Sequence, residues 1–175
     1  MNTKSKPVDQ YLSHDIDSSS KVDKFLTNTA PLIGQIVHRF NSLEECLNLS
    51  LCSWLHSGTD RFGLIVLHKM NYSLKVDLLK RFCIVYENDC KIKLPTFEKL
   101  IQNLIEAGRL RNAVVHAEWE NTDFEGYTHV SVKINRDGFR QEYIQFTPKS
   151  LRAILKLIND SIKLIDKLED EKHIR

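Results

Sequence analysis

The sequence predicts a mainly α-helical protein: an antiparallel bundle of four to five helices with one β-hairpin inserted before the last of them. Three observations carry that expectation. Through most of the chain apolar residues recur every three or four positions, which lays one stripe along each helix. The period drops to two in one late stretch, on either side of a turn signal. The chain has 175 residues, 42% hydrophobic and 27% charged, an ordinary globular composition. A chain of that length buries roughly 70% of its unfolded surface, enough for a core without disulfides or a structural metal.

Residues 1–21 are polar and serine-rich towards their end, so they read as a flexible tail before a single helical domain over 22–175. The first strong helix runs from about Ala30 to His56. Its stripe is Ile33, Val37, Phe40, Leu43, Leu47, Leu51 and Trp54, and Gly58 stands where a left-handed cap belongs. A short helix follows over about Asp60 to Met70. Ser73 can cap a third, from Leu74 to about Glu87, whose face carries Val76, Leu79, Phe82, Cys83 and Tyr86. Pro95-Thr96 opens the fourth, with Thr96 as cap and Phe97, Leu100, Ile101, Leu104 and Ile105 as stripe, continuing to about Glu118. Gly108 inside it costs about 1 kcal/mol relative to alanine, so a kink or break is allowed there.

From Thr128 to Ile134 the residues alternate, with Val130, Val132 and Ile134 on one side. Asn135-Arg136-Asp137-Gly138 is a turn signal, and Phe139 to Phe146 returns, giving a hairpin over about 128–146. Two antiparallel strands are marginal alone and must pack on a helix or a partner. Thr147-Pro148 then starts the last helix, a capping residue followed by proline at the first helical position. Its stripe is Leu151, Ile154, Leu155, Ile158, Ile162, Ile165 and Leu168.

The net charge of +2 gives no strong overall attraction to nucleic acid or membrane, so any RNA must be held by a local basic patch. Lys149, Arg152, Lys156, Lys163 and Lys167 recur at helical spacing on the last helix, where a solvated face is the simplest reading. Cys46, Cys52, Cys83 and Cys90 contain no C-x-x-C pair and read as small buried hydrophobes in a reducing compartment. No apolar signal segment opens the chain, and no uncharged run approaches the ~20 residues of a membrane span, so the expected location is the cytoplasm. His38, His56 and His68 fall at no metal-ligand spacing, and neither metal nor cofactor is expected.

The stretch that can carry chemistry is Leu110 to Trp119, LRNAVVHAEW. It joins a permanent cation (Arg111), a side-chain amide (Asn112) and an imidazole (His116) near a helix end. On an ideal helix Asn112 and His116 lie ~40° apart in projection, whereas Arg111 and His116 lie ~140° apart. The long arginine side chain can sweep part of that gap, and a second copy of the helix across a two-fold axis can close the rest. Any site built from these residues is therefore composite, formed by a homodimer. The set suits RNA cleavage by the 2′-hydroxyl. His116 can move protons at neutral pH, Arg111 can hold the charge that builds on phosphoryl oxygens, and Asn112 can orient either. Around them, Glu44 beside the first helix's stripe is a candidate partner for His116 or Arg111, Lys75 a candidate phosphate contact, and Trp119 a candidate base-stacking or packing residue.

Read as Arg111-Asn112-Ala113-Val114-Val115-His116, the segment resembles the R-x4–6-H motif of the HEPN superfamily, in which a polar residue typically follows the arginine. The segments Asn41 to Leu47 and Asn71 to Leu79 resemble the helix pair of HEPN-like proteins in prokaryotic toxin and defence systems. The resemblance covers roughly Ala30 to Glu169. It implies a metal-independent endoribonuclease acting as a homodimer, leaving a 2′,3′-cyclic phosphate and a 5′-hydroxyl. It further implies a role as toxin or antiviral effector, with an antitoxin or defence-system protein as partner. The inserted hairpin departs from the minimal helical core. Some members have lost activity, so the alternative is a catalytically inactive dimeric binding module.

Overall fold

A computed structural model describes residues 1–8, 19–136 and 138–173. In chain order the elements are β1 (Thr3–Pro7), α1 (Ser19–Leu55), α2 (Arg61–Leu67), α3 (Tyr72–Cys90), α4 (Phe97–Val115), β2 (Glu118–Thr122), β3 (Tyr127–Asn135), β4 (Gly138–Gln145) and α5 (Pro148–His173). The mainly helical class is as expected, and no helix among the described residues is long and apolar enough to cross a membrane. The chain divides into two units, Met1–Val37 with Leu110–Leu155, and His38–Arg109 with Lys156–Arg175, so the division falls within α1, α4 and α5.

The first unit holds an antiparallel sheet in the order β1-β4-β3-β2, where the sequence predicts a lone hairpin. The two added strands come from segments with no apolar alternation. Residues 3–7, expected to be flexible, pair along β4 from Thr3 opposite Ile144 to Pro7 opposite Arg140. Backbone ladder bonds make this strand, and polar side chains hold it. Lys4 Nζ lies 3.0 Å from the Asp123 carboxylate and 4.4 Å from the Tyr127 ring centre, while Arg140 Nε donates to Ser5 Oγ at 2.7 Å. The rest of the expected tail, 9–18, lies outside the described residues.

α4 itself stops at Val115; β2 begins at Glu118, where the fourth helix is expected to end. It is joined to β3 by Asp123-Phe124-Glu125-Gly126, a turn in which Asp123 Oδ1 accepts from the amides of Glu125 and Tyr127 at 3.0 and 2.9 Å. Gly126 sits at φ +85°, where an added Cβ would lie 2.6 Å from the Phe146 carbonyl. The apolar face expected of Val130, Val132 and Ile134 forms only in part: Val130 and Val132 are half-buried, alternating with the exposed Ser131 and Lys133, and Ile134 is not. The register shifts between His129 and Ser131, Thr128 and His129 are buried, and Ile134 near the hairpin tip is 81% exposed. Val22, Ile36, Leu110, Val114, Phe146 and Leu151 build this unit's core.

α1 begins at Ser19, well before the expected Ala30, and keeps Pro31 inside it. Periodicity before the proline is sparse in aliphatics, yet Val22 and Thr29 are buried there, and Thr29 Oγ1 donates to the Phe25 carbonyl at 2.9 Å. α5 opens as predicted. Ser150 N donates to Thr147 Oγ1 at 3.1 Å and Thr147 N to Ser150 Oγ at 2.9 Å, a reciprocal cap followed by Pro148.

In the second unit Phe40, Leu43, Leu47 and Leu51 of α1, Leu79 and Cys83 of α3, Leu100 and Leu104 of α4, and Ile165 and Leu168 of α5 form the core. Asn71, not Ser73, caps α3, accepting from Leu74 N at 3.0 Å. Gly58 does not take the left-handed conformation expected of it; its amide donates to His56 Nδ1 at 3.0 Å. Two of the four free cysteines are buried: Cys52, and Cys83, whose thiol burial pushes up to about 12. Cys46 is half-buried and Cys90 exposed, so the expected burial holds for only part of the set.

Glu169 of α5 ties three helices. Its carboxylate accepts from Ser50 Oγ (2.6 Å), Trp54 Nε1 (3.1 Å) and Ser53 Oγ (3.2 Å) of α1 and pairs with Lys172, whose carbonyl accepts from Tyr86 of α3.

α4 does not break at Gly108. A Cβ there would lie 2.8 Å from the ring of Tyr72, which is half-buried against Phe40 and whose hydroxyl donates to the Leu104 carbonyl at 3.0 Å. The glycine makes room for that ring. Gly108→Ala is therefore expected to lower stability by ~1–2 kcal/mol despite its better helix propensity. Gly34→Ala, on α1 with nothing within 4 Å of the added carbon, should raise it by ~0.5–1 kcal/mol. Urea unfolding of both variants reads the two signs.

Candidate functional site

The candidate residues divide between the units. Arg111, Asn112, His116 and Trp119 belong to the first, Glu44 and Lys75 to the second.

The last turn of α4 carries Arg111 and Asn112, and His116 follows directly after it. Leu110 and Val114, four apart, are buried and fix which face of the helix turns inward. Asn112 and His116 are thereby left exposed, with Arg111 half-buried beside them. The amide of His116 donates to the Asn112 carbonyl at 3.0 Å, so the helical bonding pattern reaches His116 although the helix ends at Val115. Asn112 and His116 thus keep the stacked relation of an i, i+4 pair. Arg111 Nη1 donates to Asn112 Oδ1 at 3.1 Å. That bond draws the guanidinium round the helix towards the Asn112 side, across part of the ~140° that separates Arg111 from His116 on an ideal helix.

Trp119 ends the helix. Its Nε1 donates to the Val114 carbonyl at 2.9 Å, satisfying one of the acceptors that every helix C-terminus leaves open. Its ring packs on Phe146 with centres 5.2 Å apart, and its own carbonyl accepts from the buried Thr122 hydroxyl at 2.8 Å. Periodicity could not show this, because the donor lies past the last helical residue. An open cavity of about 520 Å³ borders Leu110, the residue before Arg111. Ala153 and Ile154 line it on α5, together with Thr147, Lys149 and Ser150 at that helix's start. Lys149 and Arg152 are exposed there, as a solvated face requires.

In the second unit Glu44 and Lys75 hold each other, Lys75 Nζ to Glu44 Oε1 at 2.7 Å. Lys75 is only 7% exposed, so its ammonium is committed to this carboxylate. Burial, with the Glu44 charge adding to it, pushes the Tyr72 phenol up and keeps it a proton donor to Leu104. The sequence brings Glu44 to notice as a carboxylate beside an apolar stripe; the pairing with Lys75 depends on the packing of α1 against α3.

Among the described residues no three His, Cys, Asp or Glu side chains cluster so as to hold a metal ion. Comparison with protein-family models, with curated proteins and with solved structures finds no match to this chain.

Trp119→Phe keeps most of the packing on Phe146 and loses the bond to Val114. A loss of about 1 kcal/mol in unfolding free energy is expected. Amide exchange should also speed up in the last turn of α4, and unchanged protection there would remove the capping role.

Proposed function

We propose that the chain is a HEPN-like endoribonuclease that cuts RNA through the RNA's own 2′-hydroxyl, at a site shared by two copies of α4 in a homodimer. The observation that carries this reading is the Arg111–Asn112 bond at the exposed end of α4, which turns a fixed cation towards the face of the one imidazole in the segment. A cation, an amide and a histidine on a solvent-reachable helix end can act on a phosphodiester; buried, they could not.

In the reaction, His116 of one copy takes the proton of the 2′-hydroxyl, and the 2′-oxygen attacks the adjacent phosphorus. The bond from phosphorus to the 5′-oxygen breaks, and the imidazolium of the other copy returns a proton to that oxygen. Arg111 stabilises the charge on the non-bridging oxygens, and Asn112 keeps the guanidinium aimed. The products are a 2′,3′-cyclic phosphate and a 5′-hydroxyl. The cavity beside Leu110 lies within the size range of small-ligand sites and can take a nucleoside, with Lys149 at its edge for a phosphate. Action in the cytoplasm as a toxin or antiviral effector, with an antitoxin or defence-system protein as partner, fits this chemistry. The inactive binding module of the same fold draws on the exposed apolar residues of α2 and predicts that RNA stays intact.

The purified chain should cleave single-stranded RNA in EDTA, and His116→Ala should slow cleavage ~10²–10⁴-fold without changing thermal stability. End-group analysis should find the cyclic phosphate. Co-refolding equal amounts of wild type and His116→Ala should leave about a quarter of the activity of the same total of wild type, since only that share of the dimers keeps both imidazoles. Wild-type turnover matched by His116→Ala would remove the assignment; activity that falls only in proportion to the wild-type fraction would remove the shared site.

A further inference from the structure

Of the five residues of β1 only Lys4 is half-buried; the other four are exposed. The strand is therefore held at the β4 edge chiefly by its backbone ladder and by what receives that one lysine. Three groups receive it. The Asp123 carboxylate lies 3.0 Å from Lys4 Nζ through Oδ2, and only 17% of the Asp123 side chain is exposed. The Tyr127 ring centre is 4.4 Å from the ammonium and the Tyr143 ring centre 5.9 Å. Two ring faces and one anion around an ammonium form a cation cage, in which desolvation strengthens each attraction.

The cage is built by bonds that do not involve β1. Asp123 Oδ1 is fixed by the amides of Glu125 and Tyr127, which leaves Oδ2 turned to the lysine. The Tyr143 hydroxyl donates to Gln141 Oε1 at 2.7 Å. Beside the cage the outer edge of β4 offers ladder bonds to an extended segment. The Gln145 amide donates to the Asn2 carbonyl at 3.0 Å, and the Phe139 carbonyl accepts from Val8 N at 3.0 Å. Arg140 reaches the residue after the lysine, donating to Ser5 Oγ and to the Ser5 carbonyl.

We propose that the β4 edge and this cage form a binding site for an extended, lysine-bearing segment of a partner protein, a site that β1 fills in cis. The partner's chemistry follows from the seat. A carboxylate and two ring faces select an ammonium and repel a phosphate, so a nucleic acid does not fit. Ladder bonds select an extended backbone, and the cage selects the side chain that points into it. Exchange of β1 disturbs little packing, because the strand sends no apolar side chain into the core. A segment of the same chain competes at an effective concentration of about 1 mM, so the site stays closed until β1 is loosened. The inference stands apart from the nuclease reading, since it concerns the sheet edge and not the end of α4.

Fluorescence anisotropy with a labelled peptide of residues 1–8, measured on the full chain, tests it. Lys4→Ala in the chain removes the strand's own ammonium. The Gln145 amide should then exchange at least tenfold faster, and the peptide should bind at least tenfold tighter than to wild type. Bound peptide should restore the Gln145 protection. Binding should fall at least tenfold when the peptide's lysine at position 4 is acetylated. It should fall as far when Asp123→Asn is added to the chain, a change that keeps the Oδ1 acceptor of the turn. Unaltered Gln145 exchange in Lys4→Ala overturns the proposal, as does failure of that chain to bind the peptide at about 1 mM. So does binding indifferent to acetylation or to Asp123→Asn, or uptake of oligouridylate RNA or a second copy of the chain in the peptide's place.

Discussion

The end of α4 is set by one indole. A helix leaves its last carbonyls unsatisfied, and unless something beyond the terminus supplies a donor they draw water or further helical turns. Here Trp119 turns back to the Val114 carbonyl, and its ring lies on Phe146 of the sheet unit. Two consequences follow from that contact. The chain leaves the helix in an extended state and becomes β2, whose Thr122 hydroxyl closes on the Trp119 carbonyl. And His116 is held in the exit turn, in solvent, one turn along from Asn112. The sheet's fourth strand and the exposure of the candidate imidazole thus depend on the same donor.

Much of the helical part is legible in the sequence because burial imposes a period. Phe40, Leu43, Leu47 and Leu51, or Leu100 and Leu104, announce their helices since a side chain meeting the core every third or fourth residue must be apolar. Thr147-Pro148 is legible for a different reason, a local bonding preference that needs no tertiary partner. What escapes is structure made by partners distant in sequence. β1 is a strand because β4 offers an unpaired edge, and its lysines find Asp123 and two tyrosine rings; nothing within Thr3–Pro7 alternates. Gly108 weakens a helix by itself yet sits in an unbroken one, because the Tyr72 ring occupies the space a methyl group would need. The candidate triad of α4 is visible as a motif, but the direction of the Arg111 side chain is not, since it depends on the bond to Asn112.

Buried charge behaves differently from the apolar core in both legibility and consequence. Glu169 and Lys75 look like ordinary solvent-facing residues of amphipathic helices, and each is drawn inward by specific counterparts: three α1 donors for the carboxylate, Glu44 for the ammonium. Such pairs add little net stability, because desolvation offsets much of the Coulombic gain, but removing one member leaves the other stranded. They therefore fix register more than they add cohesion. Glu44 and Lys75, which the sequence offers as candidates for the chemistry, are engaged in this way with each other.

The polar turn at the end of α4 and the apolar face of α2 impose opposite demands. A group that transfers a proton to or from RNA must stay reachable by a large, charged, hydrated substrate, which suits the exposed Asn112 and His116. A face of Phe62, Ile65 and Val66 gains by being removed from water and would gain nothing from a phosphodiester. One helix copy cannot set Arg111 and His116 on a common face, since their ~140° separation follows from helical geometry and the Asn112 bond closes only part of it. Completing such a site would take a second copy of α4, whereas the exposed side chains of α2 ask only for something apolar.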